Sequence, residues 1–504
     1  LKQSRLHFIG IGGQGISALA QMARQSGEIV TGCDQHMSAT VKALQQSGIP
    51  VQIGHSAEHV RDIDMLVISP AVPALDPENV ELGAAKERDI PIVTWQELLG
   101  QHMRDKCVLS VSGVHGKGTT TAMLSLALID AGFDPTCEIG AVVPRFGANY
   151  RLGSSQYFVN EADEFNHNFW HYHPRLVIVT SIEFEHPEFF ADYTAFLDAF
   201  EHFIRGMDMR PLWSLPPTLI INRNSPGCQD LCERLQGWNG QVITYGVVHE
   251  QIHAVTKTVQ VPSYLSYQAS FEAFDVRVEG ETSFRVSLNN QIDPLKGDKI
   301  HLRIPGVHNI ENALAAFAAA YTLGADASTI ARALEGFEGN RRRFEIRHQG
   351  SLPLAEGEAD VILVDDYAHH PTAIKATLAA AHQRYPQRRL VAVYQPHMFS
   401  RTRSFFEQFS RAFDAADVAI IADIFPARER DTGTIHARDL VVALALRPHF
   451  GPYGGAQVMY GGSIENTVAL LNRTLQSGDL VVIMGAGDIY TVTERLLARL
   501  EEHR

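Results

Sequence analysis

The five residues Gly113-Val-His-Gly-Lys117 concentrate the most legible chemistry in this sequence. They follow the apolar run 107–112 and precede the helix-like run 121–128. A strand, a Gly-x-x-Gly-Lys turn and a helix make a phosphate cradle. Gly113 and Gly116 let backbone N–H groups approach phosphate oxygens, the helix N-terminus adds partial positive charge, and Lys117 adds a full one. Two positions depart from the long form of this motif. Val111 stands where a further glycine is usual, and Gly118 replaces the hydroxyl residue that ligates Mg²⁺, so hydroxyls begin only at Thr119. The bland alternative is an ordinary glycine-rich turn.

Other reactive groups cluster where strands are predicted to end. Glu161-Ala-Asp-Glu164 and Glu183-Phe-Glu-His186 follow apolar runs, and carboxylates beside a phosphate loop suit Mg²⁺. A solvated acidic loop is the competing reading. Asp365-Asp-Tyr-Ala-His-His370 and Tyr394-Gln-Pro-His397, with Arg401 beyond, repeat the arrangement. Arg341-Arg-Arg343 is either a solvated patch or a set of phosphate ligands. His308, Asn309 and Asn312 fall on the first turn of a predicted helix, where Asn309 is either a site residue or a cap. Near the start, Gly10-x-Gly12-x-x-Gly15 follows a strand, and Asp34 ends the next one 19 residues after Gly15. That pattern suits a dinucleotide or a nucleotide-sugar.

The elements that must position these groups are alternating strands and helices. A chain of 504 residues predicts roughly three domains. The βα pattern places them at 1–105, 106–340 and 341–504, each an α/β unit with a doubly wound parallel sheet. Residues 250–304 alternate polar and apolar, and read as a β insertion in the second unit. Pro70-Ala-Val-Pro reads as a turn.

Composition narrows the function classes. A net charge of −14 argues against nucleic-acid binding. No apolar run reaches the roughly 18–20 residues of a membrane span, and no secretory leader is visible. Five scattered cysteines, with Cys228-x-x-x-Cys232 lacking a second zinc-type pair, fit a reduced cytoplasm.

Taken together and in order, these motifs resemble the Mur ligases, the ATP-dependent amino-acid-adding enzymes of bacterial peptidoglycan synthesis. The resemblance rests on Gly10-Ile-Gly-Gly-Gln-Gly, Gly113-Val-His-Gly-Lys, Glu161-Ala-Asp-Glu, Ile182-Glu-Phe-Glu-His and Gly306-Val-His-Asn-Ile-Glu-Asn-Ala. It continues through Arg342-Arg-Phe-Glu, Asp365-Asp-Tyr-Ala-His-His-Pro-Thr, Gln395-Pro-His-Met-Phe-Ser-Arg-Thr, Asp423-Ile-Phe-Pro-Ala-Arg-Glu and Gly485-Ala-Gly-Asp-Ile. It implies a Rossmann-like UDP-sugar domain, a central ATPase domain and a C-terminal Rossmann-like amino-acid domain. It implies ligation of L-alanine to the lactyl carboxylate of UDP-N-acetylmuramate, with ATP and Mg²⁺, by a monomer or homodimer.

Residue by residue, the resemblance implies that Gly12, Gly13, Asp34 and Ser69 hold the UDP-sugar. Gly113, His115, Gly116, Lys117 and Thr119 would hold ATP phosphates, Asn309 and Asn312 the adenine, and Arg343 the phosphates from the third domain. Thr119, Glu161 and His186 would hold Mg²⁺, Asp366 would complete the nucleotide site, and Tyr367, His397 and Arg401 would hold L-alanine. A base must also leave the alanine amine neutral; His369 or His370 is a candidate, with a structural role for each as the competing reading. The family has Thr where Gly118 stands and usually Asp-His-Met-Asp near Glu185-His-Pro-Glu. Two alternatives stay open: a family member attaching an intact tripeptide, towards which Phe184-Glu-His-Pro-Glu-Phe-Phe leans, and an ATPase-impaired UDP-sugar-binding paralogue. A nicotinamide dehydrogenase would leave the second cradle unexplained.

Overall fold

The computed structural model describes residues 3–248, 260–355, 357–427, 429–450 and 455–502. Three mixed α/β units follow one another, each with its own sheet. The first sheet holds β1 (Arg5–Ile9), β2 (Ile29–Asp34), β3 (Val51–Ile53), β4 (Met65–Ile68) and β5 (Ile92–Thr94), all parallel in the order β3-β2-β1-β4-β5. The chain leaves β1 in one direction and returns beside it as β4, which opens a crevice at their C-terminal ends. The glycine turn after β1 lies there.

The central sheet holds β6 (Cys107–Ser112), β7 (Thr136–Val143), β8 (Ala148–Arg151), β9 (Tyr157–Glu161), β10 (Leu176–Val179), β11 (Thr218–Asn222) and β12 (Gln241–Val247). It continues with β13 (Ser266–Arg277), β14 (Thr282–Leu288) and β15 (Ile300–Leu302), in the order β15-β14-β13-β12-β11-β10-β6-β9-β7-β8. The predicted antiparallel pair exists as β13 and β14, but β13 also runs parallel beside β12. The segment therefore widens the central sheet instead of forming a separate insertion. Residues 249–259 of it lie outside the described residues.

The third sheet holds β16 (Glu345–Leu354), β17 (Gly357–Asp366), β18 (Arg389–Tyr394), β19 (Val418–Ala422), β20 (Gln457–Gly462) and β21 (Asp479–Met484), in the order β16-β17-β21-β18-β19-β20. Only β16 is antiparallel. One local expectation fails: Pro70-Ala-Val-Pro is not a plain turn but opens the short helix Ala71–Leu75. Both prolines fall at the N-cap and first turn, where a helix does not need their missing N–H groups.

The cradle depends on two buried helices. Lys117–Asp130 starts at the cradle, and its residues 118–128 are buried. It packs against the alanine-rich helix Val307–Thr322, which is apolar all round and buried from Ile310 to Ala320 apart from Glu311. Alanines let the two backbones approach, and Phe317 supplies the bulk, edge-on to Phe271 and stacked on Tyr321. Phe317→Ala leaves a cavity where these rings meet. We expect it to destabilise the protein by about 3–5 kcal/mol, read as a lower urea midpoint at unchanged slope.

Candidate active site

The cradle is rigid because its glycines have no room for side chains. Gly113 has φ +121°, and a Cβ there would run into Thr180 Oγ1 and the Ser181 backbone. Gly116, left-handed at φ +80°, caps the helix against the Asn312 side chain. The loop is tied to the end of β10 by Val114 N–H to Ser181 O (3.0 Å), His115 N–H to Ser181 Oγ (3.1 Å) and Thr180 N–H to Ser112 O (3.0 Å). Asn312 accepts from Thr120 Oγ1 (3.2 Å) and donates to Asn309 Oδ1 (3.1 Å). Asn309 donates in turn to Pro305 O (2.7 Å), and the helix begins at Gly306 without a side-chain cap. Asn309 is thus not the cap that was its alternative reading. The pair braces the cradle from behind and lines its cavity.

Lys117 is largely but not fully buried, and its ammonium donates to both oxygens of Glu164, at 2.7 and 3.0 Å. Burial pulls its pKa down, but Glu164, Asp163 and Glu161 more than restore it, so the lysine stays charged. Asp163, Glu164 and His186 each present a ligand atom within 4.8 Å of the others. Glu164 is fully buried, which rules out the solvated-loop reading for it. His186 sits in a left-handed turn, φ +57°, with Nδ1 3.1 Å from Glu188 and its ring against Phe165. Glu161 and Thr119, the other expected metal ligands, line the same cavity but stand outside this cluster.

Glu161 also has a local packing role. Its Oε2 accepts from Gly140 N–H at 2.7 Å, and a Cβ on Gly118 would sit 2.9 Å from that same oxygen. The carboxylate fills the space a side chain at 118 would take. Gly118 O also accepts from Asn340 Nδ2 at 3.0 Å, linking the cradle to the last residue of the central unit.

The third unit closes the cavity. Asp366, at the end of β17, accepts from Phe344 N–H (2.8 Å) and Ala368 N–H (2.7 Å). Arg343 lies over the Tyr367 ring, 4.8 Å from its centroid. Arg342 is no solvated side chain: it donates to Gly485 O (2.6 Å) and Gly487 O (3.1 Å), flanked by Tyr367 and Tyr490. Arg401 is buried in a two-nitrogen pair with Glu185 of the central unit, at 2.8 and 2.9 Å, with His397 Nδ1 3.2 Å away. That pair holds the Glu185 carboxyl far below the usual range although burial opposes it.

The two candidate bases differ. His370 Nδ1 accepts from Thr372 N–H (3.3 Å) and caps the helix Pro371–Arg384, a structural duty. His369 Nδ1 lies 3.0 Å from Tyr367 O and donates to it, which leaves Nε2 a lone pair. Burial, then Arg401, push the His369 pKa well below the ordinary histidine value.

In the first unit, Gly12 N–H donates to Asp34 Oδ2 (2.9 Å), and Asp34 Oδ1 takes His36 N–H (3.2 Å). Asp34 thus shapes the glycine turn directly. Gly13 is the N-cap of the helix Gln14–Gln25, and Ser69 Oγ accepts from Ala71 N–H (3.4 Å). All four expected UDP-sugar residues gather at the crevice beyond β1, β2 and β4. Gln14, the next residue, lines the same cavity as Lys117, Glu164, Arg343 and His369, about 620 Å³ in volume.

Sequence reasoning marked the Glu183–His186 stretch but missed the partners of Glu183 and Glu185. Glu183 contacts His115, accepts from Thr372 Oγ1 (3.1 Å) and lies 3.5 Å from His370. Glu183 is the first acid of the Glu183–Glu188 stretch, but His115 lies 68 residues away and Thr372 189 residues away. Arg428 of the Asp423-Ile-Phe-Pro-Ala-Arg-Glu motif is outside the described residues. Because Glu161 occupies the space beside Gly118, we expect Gly118→Thr alone to destabilise the chain by about 1 kcal/mol. It should couple to Glu161→Ala by a similar amount in a double-mutant cycle, measured by chemical denaturation.

Comparison with known proteins fits this arrangement. Residues 5–107 match the profile described as Mur ligase family, catalytic domain; residues 111–320 match the Mur ligase middle domain; residues 342–487 match the Mur ligase, glutamate ligase domain. A UDP-N-acetylmuramate–L-alanine ligase of Acetivibrio thermocellus is 36% identical over 98% of this chain and 96% of its own length. Among solved structures, a UDP-N-acetylmuramate–alanine ligase of Thermotoga maritima superposes with TM-score 0.76 at 24% identity, covering both chains fully. A murein peptide ligase of Psychrobacter arcticus reaches 0.67 at 24% identity, covering 99% of this chain and 98% of its own. With three consecutive profiles matched and a relative of that identity aligned nearly end to end, the chain belongs to the Mur ligase family.

Proposed function

We propose that this protein joins L-alanine to the lactyl carboxylate of UDP-N-acetylmuramate at the expense of ATP. The observation that carries the reading is one cavity lined by a phosphate cradle, a metal-type acidic cluster, and cations and histidines of the third unit. The end-to-end likeness to L-alanine ligases supports the choice of substrates.

A carboxylate does not acylate an amine unaided, because it would have to expel oxide. Phosphorylation by ATP turns that oxygen into a leaving group. The difficulty is then electrostatic, since two polyanions must meet. Lys117, the N–H groups of the cradle and Arg343 supply the offsetting charge. Asp163, Glu164 and His186 offer two carboxylates and an imidazole, a donor set that suits Mg²⁺ completed by water and phosphate oxygens. Bound there, Mg²⁺ would neutralise phosphate charge. Gly12, Gly13, Asp34 and Ser69 present the UDP-sugar from the first unit, and Asn309 and Asn312 border the nucleotide. Tyr367, His397 and Arg401 receive L-alanine, whose carboxylate competes with Glu185 for Arg401. His369 Nε2 takes one proton from the alanine ammonium, the freed amine attacks the acyl carbon, and phosphate leaves with the second proton that the nitrogen sheds on becoming an amide. Closure of the cavity keeps water from the acyl phosphate.

The decisive assay is phosphate release from ATP and Mg²⁺ with UDP-N-acetylmuramate and, in turn, L-alanine, glycine, L-serine or the tripeptide. We expect release that requires the sugar and L-alanine, with a mass gain of one alanine. Release only with the tripeptide would move the protein to the tripeptide-adding branch. No release with any acceptor, despite UDP-sugar binding, would leave a binding paralogue.

The base assignment has its own check. His369 must be neutral to act, so activity should fall only as pH drops through its lowered pKa. We expect the acid limb of kcat/KM below the ordinary histidine range. His369→Gln should lower kcat by about 10²-fold or more and abolish that limb, whereas an unchanged limb would assign it to another group.

A further inference from the structure

A second group of ligand-type side chains lies in the first unit, on the sheet face opposite the helix Gln14–Gln25. His7 on β1, Cys33 on β2, His59 in the 3-10 turn Ala57–Val60 and Glu81 on the helix Val80–Glu87 each present a ligand atom within 4.8 Å of the others. His7, Cys33 and Glu81 are at most 1% exposed. Around them pack Ile9, Val60, Leu66, Ile68, Leu82 and Ala85, a dry apolar shell. Glu81 is their hub. Its Oε1 lies 2.9 Å from His59 Nδ1 and accepts Ser56 N–H at 3.1 Å, while Cys33 Sγ is 3.2 and 3.3 Å from its two oxygens.

His7 shows what this network lacks. Its Nδ1 is 2.7 Å from Thr31 Oγ1, a hydroxyl that itself donates to Leu6 O. The hydroxyl therefore accepts from Nδ1–H, and Nε2 carries the lone pair. That Nε2 makes no hydrogen bond and faces Glu81 Oε2 at 3.3 Å. Two acceptors buried face to face repel unless a proton or a metal ion lies between them, and Nε2 is not aligned for a hydrogen bond to Glu81. The set of one sulfur, two imidazole nitrogens and one carboxylate oxygen is that of a tetrahedral zinc-class ion, not of Mg²⁺.

We propose that His7 Nε2, Cys33 Sγ, His59 Nδ1 and the Glu81 carboxylate bind one divalent ion of the zinc class. The Cys33 thiol releases its proton to solvent on binding and ligates as thiolate. Thr31 orients His7 from outside, and His55, 3.4 Å from Cys33 Sγ and 3.3 Å from Glu81 Oε1, stands next to the set. The ion would tie together β1, β2, the 3-10 turn and the Glu81 helix. It would also brace the glycine turn, because Cys33 O accepts from Gly10 N–H (2.9 Å) and Ile11 N–H (3.1 Å).

Cobalt makes the site visible. The full-length protein, stripped with a chelator, is titrated with Co²⁺ in excess Mg²⁺, which occupies the acidic cluster near Lys117. We expect one equivalent to produce a thiolate-to-cobalt charge-transfer band and the intense visible bands of tetrahedral coordination, both displaced by Zn²⁺. Cys33→Ser should abolish the charge-transfer band, and His59→Asn should keep it while weakening cobalt binding about tenfold or more. Absence of a charge-transfer band in the wild-type protein overturns the proposal without reference to any variant. So does a band that survives in Cys33→Ser.

Discussion

Burying a lysine commits the fold around it. Lys117 sits largely out of water at the head of a helix, where its charge is best held beside an anion. Glu164 provides that anion now. A nucleotide phosphate entering the cradle supplies another, and Glu164 already faces Asp163 and His186, where a cation would take up its charge. The site can thus change partners without stranding a buried charge. Every neighbouring feature serves this exchange: glycines that admit backbone donors, asparagines that stiffen the loop from behind, and a sheet that fixes β6, β9 and β10 side by side.

A second charge pair governs how the units meet. Glu183 and Glu185 leave the central unit from one short stretch and reach the helix start at His370 and the Arg401 guanidinium. Because the Glu185–Arg401 contact is buried, the third unit has a defined seat against the cradle. On the proposed function the same guanidinium anchors the amino-acid carboxylate, so docking of the third unit and acceptor binding would draw on one residue, Arg401.

Much of this was legible in the sequence, for a physical reason. Strand–turn–helix cradles and titratable residues at strand ends are local patterns, so β6, the Lys117 helix, Asp366 and the first glycine turn follow from short stretches. What was not legible depends on contacts distant in sequence. Nothing near Glu161 says that its carboxylate fills the space beside Gly118, and nothing near Arg401 names Glu185. The competing reading of Asn309 as a cap fails because a glycine at the helix start left it free to bind Pro305 O. The β13–β14 pair was visible, whereas its parallel seam with β12 was not, since alternation alone does not name a partner. The cluster around Glu81 draws on four elements, and no motif spans them.

The packing of Glu161 against Gly118 also bears on how such a chain changes over time. Two positions that compete for one small volume cannot vary independently. A hydroxyl residue at 118 is compatible only with a carboxylate that has moved aside, and a glycine there lets the carboxylate settle inward onto Gly140. The background at 161 therefore decides which substitutions at 118 are tolerated, and a path between the two arrangements must cross an intermediate that is either crowded or hollow.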